Sequence, residues 1–260
     1  MGATEQLDVE AVVRVVVDAG RRAMERWGTV SPSLKSDASY VTEVDLATER
    51  FLAGKAEQLL PGSGFLGEEF GAQREDAELL WACDPIDGTT NFVWGLPHWG
   101  VSLGLLERGI PTLGVIYLPA LDDLYWAVRG KGACRNGKPL GAVPDRSTIQ
   151  LEDTLCLTSN ALKTLNTEAV AGRLRCLGSI ATELAYTACG CLCGTVGLHE
   201  GIVDMAAGLC IGAEVGCIIQ YLDGSPVDLH RLIRVRRTDR HFAFGPPALV
   251  KLVQNLLHER

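Results

Sequence analysis

Positive charge is in short supply: 24 Lys and Arg stand against 32 Asp and Glu, a net charge of −8. That balance argues against a nucleic-acid backbone or an anionic membrane as the main partner. A small phosphorylated substrate stays admissible, because a bound divalent ion reverses the local sign. Long apolar runs are missing as well, so no segment is long enough to span a bilayer. The stretch from Met1 to Val9 carries acids in place of a signal core. Both absences point to a soluble, cytoplasmic protein. Repeats and low-complexity segments are also lacking, and 47% hydrophobic against 22% charged residues excludes disorder. With 260 residues the chain buries a full core, as one large domain or two intimate halves.

A paired cysteine framework is another absence. The nine cysteines are odd in number and mostly sit in apolar runs such as Thr187-Ala188-Cys189-Gly190-Cys191-Leu192-Cys193. A secreted disulfide scaffold would be smaller, loop-rich and evenly paired. No His or further Cys pair lies at zinc-ligand spacing. Cys189, Cys191 and Cys193 are therefore read as small buried thiols in preference to a metal or redox site. His98, His199 and His230 read as structural or surface groups, and Trp81, Trp94 and Trp99 as core or interface.

Among the elements that are present, Val12, Val13, Val16, Ala19, Ala23 and Trp27 recur at helical spacing, with Gly28 as a stop. Thr42-Glu43-Val44-Asp45 reads as a capping box opening a helix that ends near Leu60, before Pro61-Gly62. Phe65-Leu66, Leu79 to Cys83, Val101 to Leu106, Leu113 to Leu118 and Leu124 to Val128 read as strands. Asn136-Gly137 is turn chemistry. Beyond Pro144 the pattern predicts a strand at Leu155 to Thr158 and helices over 167–174 and 180–192. Further helices are predicted from Asp204 and after Pro246-Pro247. The expected class is α+β: a layered sandwich of helices and largely antiparallel sheets, in sub-regions 1–145 and 146–260.

Three acidic clusters follow strand-like runs or open helices. They are Gly67-Glu68-Glu69, Asp84-Pro85-Ile86-Asp87-Gly88-Thr89-Thr90, and Val203-Asp204-Met205-Ala206-Ala207-Gly208. Carboxylates at the end of a buried strand are costly without a positive partner. Basic residues are scarce beside them in sequence, so a hard cation bound by oxygen ligands is the natural partner. Pro85 stiffens the turn so that Asp84 and Asp87 aim into one site. Gly88 admits close approach, and the groups of Gly88, Thr89 and Thr90 suit an anion. Singly, each cluster is what a solvated turn or surface charge looks like; together and in this order they are not.

The run Gly67-Glu68-Glu69, then Asp84 to Phe92, resembles the signature of the inositol monophosphatase family, within the metal-dependent, lithium-sensitive sugar phosphatases. Lys35 with Thr42 to Asp45, Gly114 to Pro119, Gly130 to Ala133, Gly178-Ser179 with Glu183-Leu184-Ala185, and Asp204 to Gly208 extend the likeness over about residues 30 to 250. The resemblance implies Mg²⁺ held by Glu68, Asp84, Asp87, Asp204 and the Ile86 carbonyl. Glu68, Thr89 and Asp87 would be the catalytic groups, with Glu68 and Thr89 orienting a metal-activated water for direct attack on phosphorus. It places Asp87, Gly88, Thr89, Gly178, Ser179 and Ile180 against substrate, and Lys35, Asp45 and Glu69 behind the ligands. Myo-inositol monophosphate is the expected substrate. Broad sugar-phosphate or fructose-1,6-bisphosphatase-like activity is the alternative; histidinol phosphate hydrolysis or a non-catalytic member ranks lower. Homodimers are common in that family. Two departures stand out: Val203 replaces a usual Trp, and Gly197 falls where many members carry a Glu that binds a sugar hydroxyl, leaving Glu200 as a substitute.

Overall fold

The structure, a computed structural model, describes residues 7–260. Residues 1–6, part of the acidic stretch read above as lacking a signal core, lie outside the described residues. In chain order, α1 (Val9–Met24), β1 (Ser33–Leu34), β2 (Tyr40–Val41), α2 (Glu43–Leu59), β3 (Gly64–Gly67), β4 (Ala72–Gln73) and β5 (Leu79–Asp87) come first. Next are α3 (Thr89–Trp94), β6 (Gly100–Glu107), β7 (Ile110–Leu118), β8 (Asp123–Val128), β9 (Ala133–Arg135) and β10 (Lys138–Pro139). The later half holds β11 (Thr154–Leu157), α4 (Ser159–Thr164), β12 (Leu165–Asn166), β13 (Arg173–Arg175), α5 (Ile180–Ala188) and β14 (Gly194–Gly197). It closes with α6 (Ile202–Glu214), β15 (Ile218–Tyr221), α7 (Leu229–Val235), β16 (Phe242–Gly245), α8 (Pro247–Leu256) and β17 (His258–Glu259).

An eight-stranded sheet runs β10-β9-β8-β7-β6-β5-β3-β4, antiparallel except where β3 lies parallel to β5. A five-stranded sheet, β13-β11-β14-β16-β15, is mixed: its first two pairings are parallel and the other two antiparallel. Strand alternation sorts the side chains into layers. Val101, Leu103 and Leu105 of β6 pack with Val12 and Val16 of α1 and Leu52 of α2. From the opposite face, Leu106, Ile116 and Leu118 meet Leu184 of α5 and Ile202, Met205 and Ala206 of α6. Phe242 and Phe244 of the second sheet close that same cluster. Beyond it, Leu155, Leu157 and Val196 pack against Leu249, Val250 and Val253 of α8. The result is the expected α+β sandwich.

α6 approaches the first sheet unusually closely because two strand positions have no side chain. A Cβ at Gly104 would sit 2.8 Å from the Ala206 Cβ, and one at Gly114 would run into the Ala207 backbone. The strip of bare backbone sets how deeply the N-terminal turn of α6 is seated.

Local signals were decisive where they existed. α1 buries Val12, Val16, Ala19 and Ala23, although Trp27 lies past its end. The capping box is present: the Thr42 hydroxyl accepts the Val44 and Asp45 amides, and Asp45 Oδ2 accepts the Thr42 amide at 2.8 Å. Asn136-Gly137 joins β9 to β10, with φ of 50° and 74°, the left-handed pair that a two-residue hairpin requires. Four expectations need correction. Residues 167–174 are not a helix. The Arg173 amide is taken by the Asp153 carbonyl at 2.7 Å, and β13 pairs in parallel with β11, so strand pairing overrides the helical pattern. The helix expected over 180–192 stops at Ala188, and the one expected from Asp204 begins at Ile202. Of the cysteines, Cys83, Cys156, Cys210 and Cys217 are buried, but Cys191 is exposed and Cys189 and Cys193 are half-buried. They follow the end of α5, where the chain turns out to the surface. Trp81 and Trp99 are fully buried, whereas Trp94 is 69% exposed. No helix among the described residues is long and apolar enough to cross a membrane.

Candidate metal centre

Three elements deliver the acidic side chains. β3 ends at Gly67, and the Glu68 amide bonds to the Cys83 carbonyl at 3.2 Å, which hangs Glu68 beside the end of β5. The pairing of β5 with β6 slips by one residue between Asp84 and Asp87. That bulge follows from Pro85, which has no amide for the ladder, and it re-aims the flanking aspartates. The Ile86 amide caps Asp84 Oδ1 at 2.9 Å, and the Ile86 side chain is fully buried. Asp204 stands in the first turn of α6 and accepts the Gly201 amide on Oδ2 at 2.8 Å.

Glu68, Asp84 and Asp204 each present an oxygen within 4.8 Å of the others. Mutual repulsion registers in their chemistry. Burial, then Glu68, Asp87 and Asp204, push the Asp84 carboxyl well above its ordinary value. Burial and Glu68 raise Asp204 too, against the Gly201 amide and the charge of Arg237. Asp87 is lifted by burial and by Asp204, although the Ser179 hydroxyl and the Ala181 amide, the latter at 2.8 Å, both bond its Oδ2. Among the described residues, Oε2 of Glu68 is buried without a hydrogen-bond partner. An orphaned carboxylate oxygen in an all-oxygen acidic group fits a hard divalent cation.

The remaining expected residues surround this group. Lys35 donates to Glu68 at 2.9 Å and to Glu69 at 2.6 Å. Burial alone would lower Lys35, but the two glutamates outweigh it and hold the ammonium above its usual range. Glu69 is pushed up to about 7 by burial, against its bond to Lys35. The Thr89 hydroxyl lies 3.0 Å from Asp45 Oδ1 and 3.1 Å from the Ile86 carbonyl. Gly88 caps α3 at φ +88°, and a Cβ there would press on the Gly178 carbonyl and on Ser179 at 3.1 Å. The Gly178-Ser179 turn thus abuts the central motif directly.

On the alcohol side the expectations change. Ile180 is only 4% exposed and packs in the main core, so its side chain offers no surface to a ligand. At Gly197 a Cβ would collide with the Phe242 ring, so the position has no room for a glutamate. Val203 packs half-buried against the main core. Glu200 is raised to about 8 by burial and by the charges of Asp204, Asp87 and Glu183, which places it beside the acidic group.

Sequence reasoning missed several supports. Glu49 of α2 accepts the Glu69 amide at 2.7 Å and the Phe70 amide at 2.9 Å, fixing the strand end that carries Glu68. Asn91 donates to the His98 carbonyl at 2.5 Å and the Leu177 carbonyl at 2.7 Å, tying α3 to the Gly178 turn. Glu183 accepts the Leu177 amide at 3.0 Å and the Gly178 amide at 3.3 Å from within the core. Each partner is 20 or more residues away for Glu49 and 86 away for Asn91–Leu177, beyond any local signal. Glu183 lies six and five residues from its partners, and a carboxylate in the first turn of a helix gave no sign of folding back on the preceding turn.

A protein-family model described as the inositol monophosphatase family matches residues 5–242. An inositol-1-monophosphatase of Mesorhizobium japonicum is 36% identical over 231 residues, covering 83% of this chain and 86% of that one. Inositol monophosphatase 1 of Solanum lycopersicum is 35% identical, covering 90% and 92%. The solved structure of a Thermotoga maritima IMPase superposes with a TM-score of 0.82 at 27% identity, covering 94% of each chain. With the acidic group at the junction of β3, β5 and α6, and a match spanning nearly the whole sequence, the chain belongs to the inositol monophosphatase family.

Proposed function

We propose that the chain is a Mg²⁺-dependent phosphomonoesterase that hydrolyses myo-inositol monophosphate by direct attack of water on phosphorus. The observation that carries this reading is the convergence of Glu68, Asp84 and Asp204 within 4.8 Å, with Glu68 Oε2 unpartnered. Glu68, Asp84, Asp87, Asp204 and the Ile86 carbonyl would hold the metal. When bound, Mg²⁺ supplies Lewis-acid charge for the phosphate oxygens and acidifies water.

The chain's own residues supply the rest. The Thr89 hydroxyl gives its proton to Asp45 or to the Ile86 carbonyl, which leaves its oxygen lone pairs to accept a hydrogen bond from the attacking water. Glu68, with its Oε2 turned to the site, would orient that water together with Thr89. Lys35 holds the other Glu68 oxygen, fixing which one is offered. Ser179 and Ala181 hold Asp87 by one oxygen and leave the second for the site. Gly88 and Thr89 are assigned to the phosphate. Residues 1–145 and 146–260 act as two sub-regions of one catalytic unit in a cytoplasmic enzyme. Trp94 and Leu96, 69% and 51% exposed, offer an apolar face for a homodimer.

A second reading, broad sugar-phosphate or fructose-1,6-bisphosphatase-like activity, is favoured by the alcohol side. Gly197 has no room for a carboxylate and Ile180 is sealed in the core. The deciding experiment removes metal exhaustively, then adds Mg²⁺ back while phosphate release from inositol 1-phosphate is followed. Activity should vanish and return; full activity in chelator would overturn the metal mechanism.

A further inference from the structure

Outside the acidic site, the strongest unassigned chemistry is the Cys189-Gly190-Cys191 segment that follows α5. The Cys189 thiol points at the Cys191 sulfur across 3.3 Å, and Cys191 is exposed while Cys189 is half-buried. Arg135 stands over both. Its Nε and Nη2 form a two-pronged contact with Asp123, at 2.9 and 2.7 Å. The remaining Nη1 lies 3.7 Å from the Cys189 sulfur and 3.8 Å from the Cys191 sulfur. The Tyr125 hydroxyl is 3.9 Å from Cys189. A fixed guanidinium beside two sulfurs opposes a bound cation there. The choice between a soft-metal site and a redox site therefore falls to the second.

We propose that Cys189 and Cys191 form a reversible dithiol–disulfide couple, in which Cys191 is the sulfur attacked by oxidant and Cys189 the resolving thiol. Exposure gives Cys191 access to a small oxidant, and a cavity of about 200 Å³ opens beside it, lined by Arg146, Asp153 and Cys193. Burial pushes the Cys189 thiol up to about 11, so it stays protonated and donates to its neighbour until it is needed. With hydrogen peroxide as oxidant, the Cys191 thiolate forms an S–O bond as the O–O bond breaks, and the departing hydroxide leaves as water with one proton. Cys189 then attacks that sulfur; the S–S bond forms, the S–O bond breaks, and hydroxide leaves as a second water with the Cys189 proton. Two electrons pass from the thiols to the peroxide, and a dithiol reductant reverses the change.

The test uses the reduced full-length protein, a limiting amount of hydrogen peroxide, and alkylation followed by peptide mass analysis. Cys176, also exposed and with the Ser159 hydroxyl at its sulfur, is an internal reference in the same molecule. The peptide holding Cys189 and Cys191 should become two hydrogens lighter, resist alkylation, and recover with dithiothreitol. It should lose its free thiols faster than Cys176, which has no resolving sulfur hydrogen-bonded to it as Cys191 has at 3.3 Å. In Cys189→Ser, Cys191 should stop at a sulfenic acid trapped by a cyclic dione; in Cys191→Ser, Cys189 should stay reduced. Equal rates at Cys191 and Cys176, or oxidation of Cys191 without loss of the Cys189 thiol, would overturn the couple.

Discussion

Thr89 and Asp45 are 44 residues apart in sequence, yet the Thr89 hydroxyl bonds Asp45 Oδ1 at 3.0 Å while the other oxygen of that carboxylate caps α2 through Thr42. One side chain therefore fixes both a helix start and a group proposed to orient water. Asp45→Ala should lower stability by about 1 kcal/mol through the lost cap, and turnover about tenfold through the freed Thr89 hydroxyl. Thr42→Ala should carry the stability loss alone. Urea titration and initial rates on both variants separate the two effects; unchanged turnover in Asp45→Ala would show that the Ile86 carbonyl suffices to hold Thr89 and that Asp45 has no part in the chemistry.

Asp84→Asn and Asp204→Asn should each reduce turnover on the order of 10²-fold or more, since a lost ligand weakens charge stabilisation worth several kcal/mol. Both variants should be at least as stable as the parent in chelator, because each removes a charge that its neighbours repel. The measurements are phosphate release in Mg²⁺ and thermal unfolding without it. A near-parental rate would remove that residue from the ligand set.

Glu183 sets a pH dependence of its own. Burial raises its carboxyl from 4.5 to about 7, against the amides of Leu177 and Gly178. The folded state thus retains a proton that the unfolded chain has released, so this residue's contribution to stability falls as pH rises through that window. Glu183→Gln should flatten the decline between pH 4.5 and 7 and keep the amide bonds. Glu183→Leu should cost about 1–3 kcal/mol per stranded amide. Denaturant melts across that pH range, compared with the parent, read the difference directly; parallel curves for parent and Glu183→Gln would refute it.

Substrate range tests the alcohol side. With Ile180 sealed in the core and Phe242 filling the space beside Gly197, Glu200 is the carboxylate left to meet a polyol. Inositol 1-phosphate should be preferred only modestly over glycerol phosphate in kcat/KM. A preference above about 10³-fold would imply a dedicated polar contact. Glu200→Gln would then be expected to slow inositol 1-phosphate selectively.

What could be read from the sequence was what is encoded locally. The Thr42–Asp45 box, the Asn136-Gly137 hairpin and the Asp84 to Thr90 motif each declare themselves within a few residues. Glu68, Asp84 and Asp204 were found because each follows an apolar strand-like run or stands near the start of a helix. The misreadings share one cause. Residues 173–175 are strand because β11 lies beside them. Cys191 is exposed because the chain leaves α5 before reaching it. Each of these depends on a partner that no spacing rule reports.

The bare strip at Gly104 and Gly114 also bears on how the protein is made. A ribosome releases Glu68, Asp84 and both glycines well before it releases Asp204. Until α6 arrives, the growing chain presents an apolar sheet face with a groove down its centre and an incomplete set of acids. If Mg²⁺ is the metal, as proposed, it would have no finished group to bind at that stage, and would stabilise only chains that include α6. A fragment ending before Ile202 should therefore aggregate alike with and without Mg²⁺, whereas the full chain's unfolding temperature should climb with the ion.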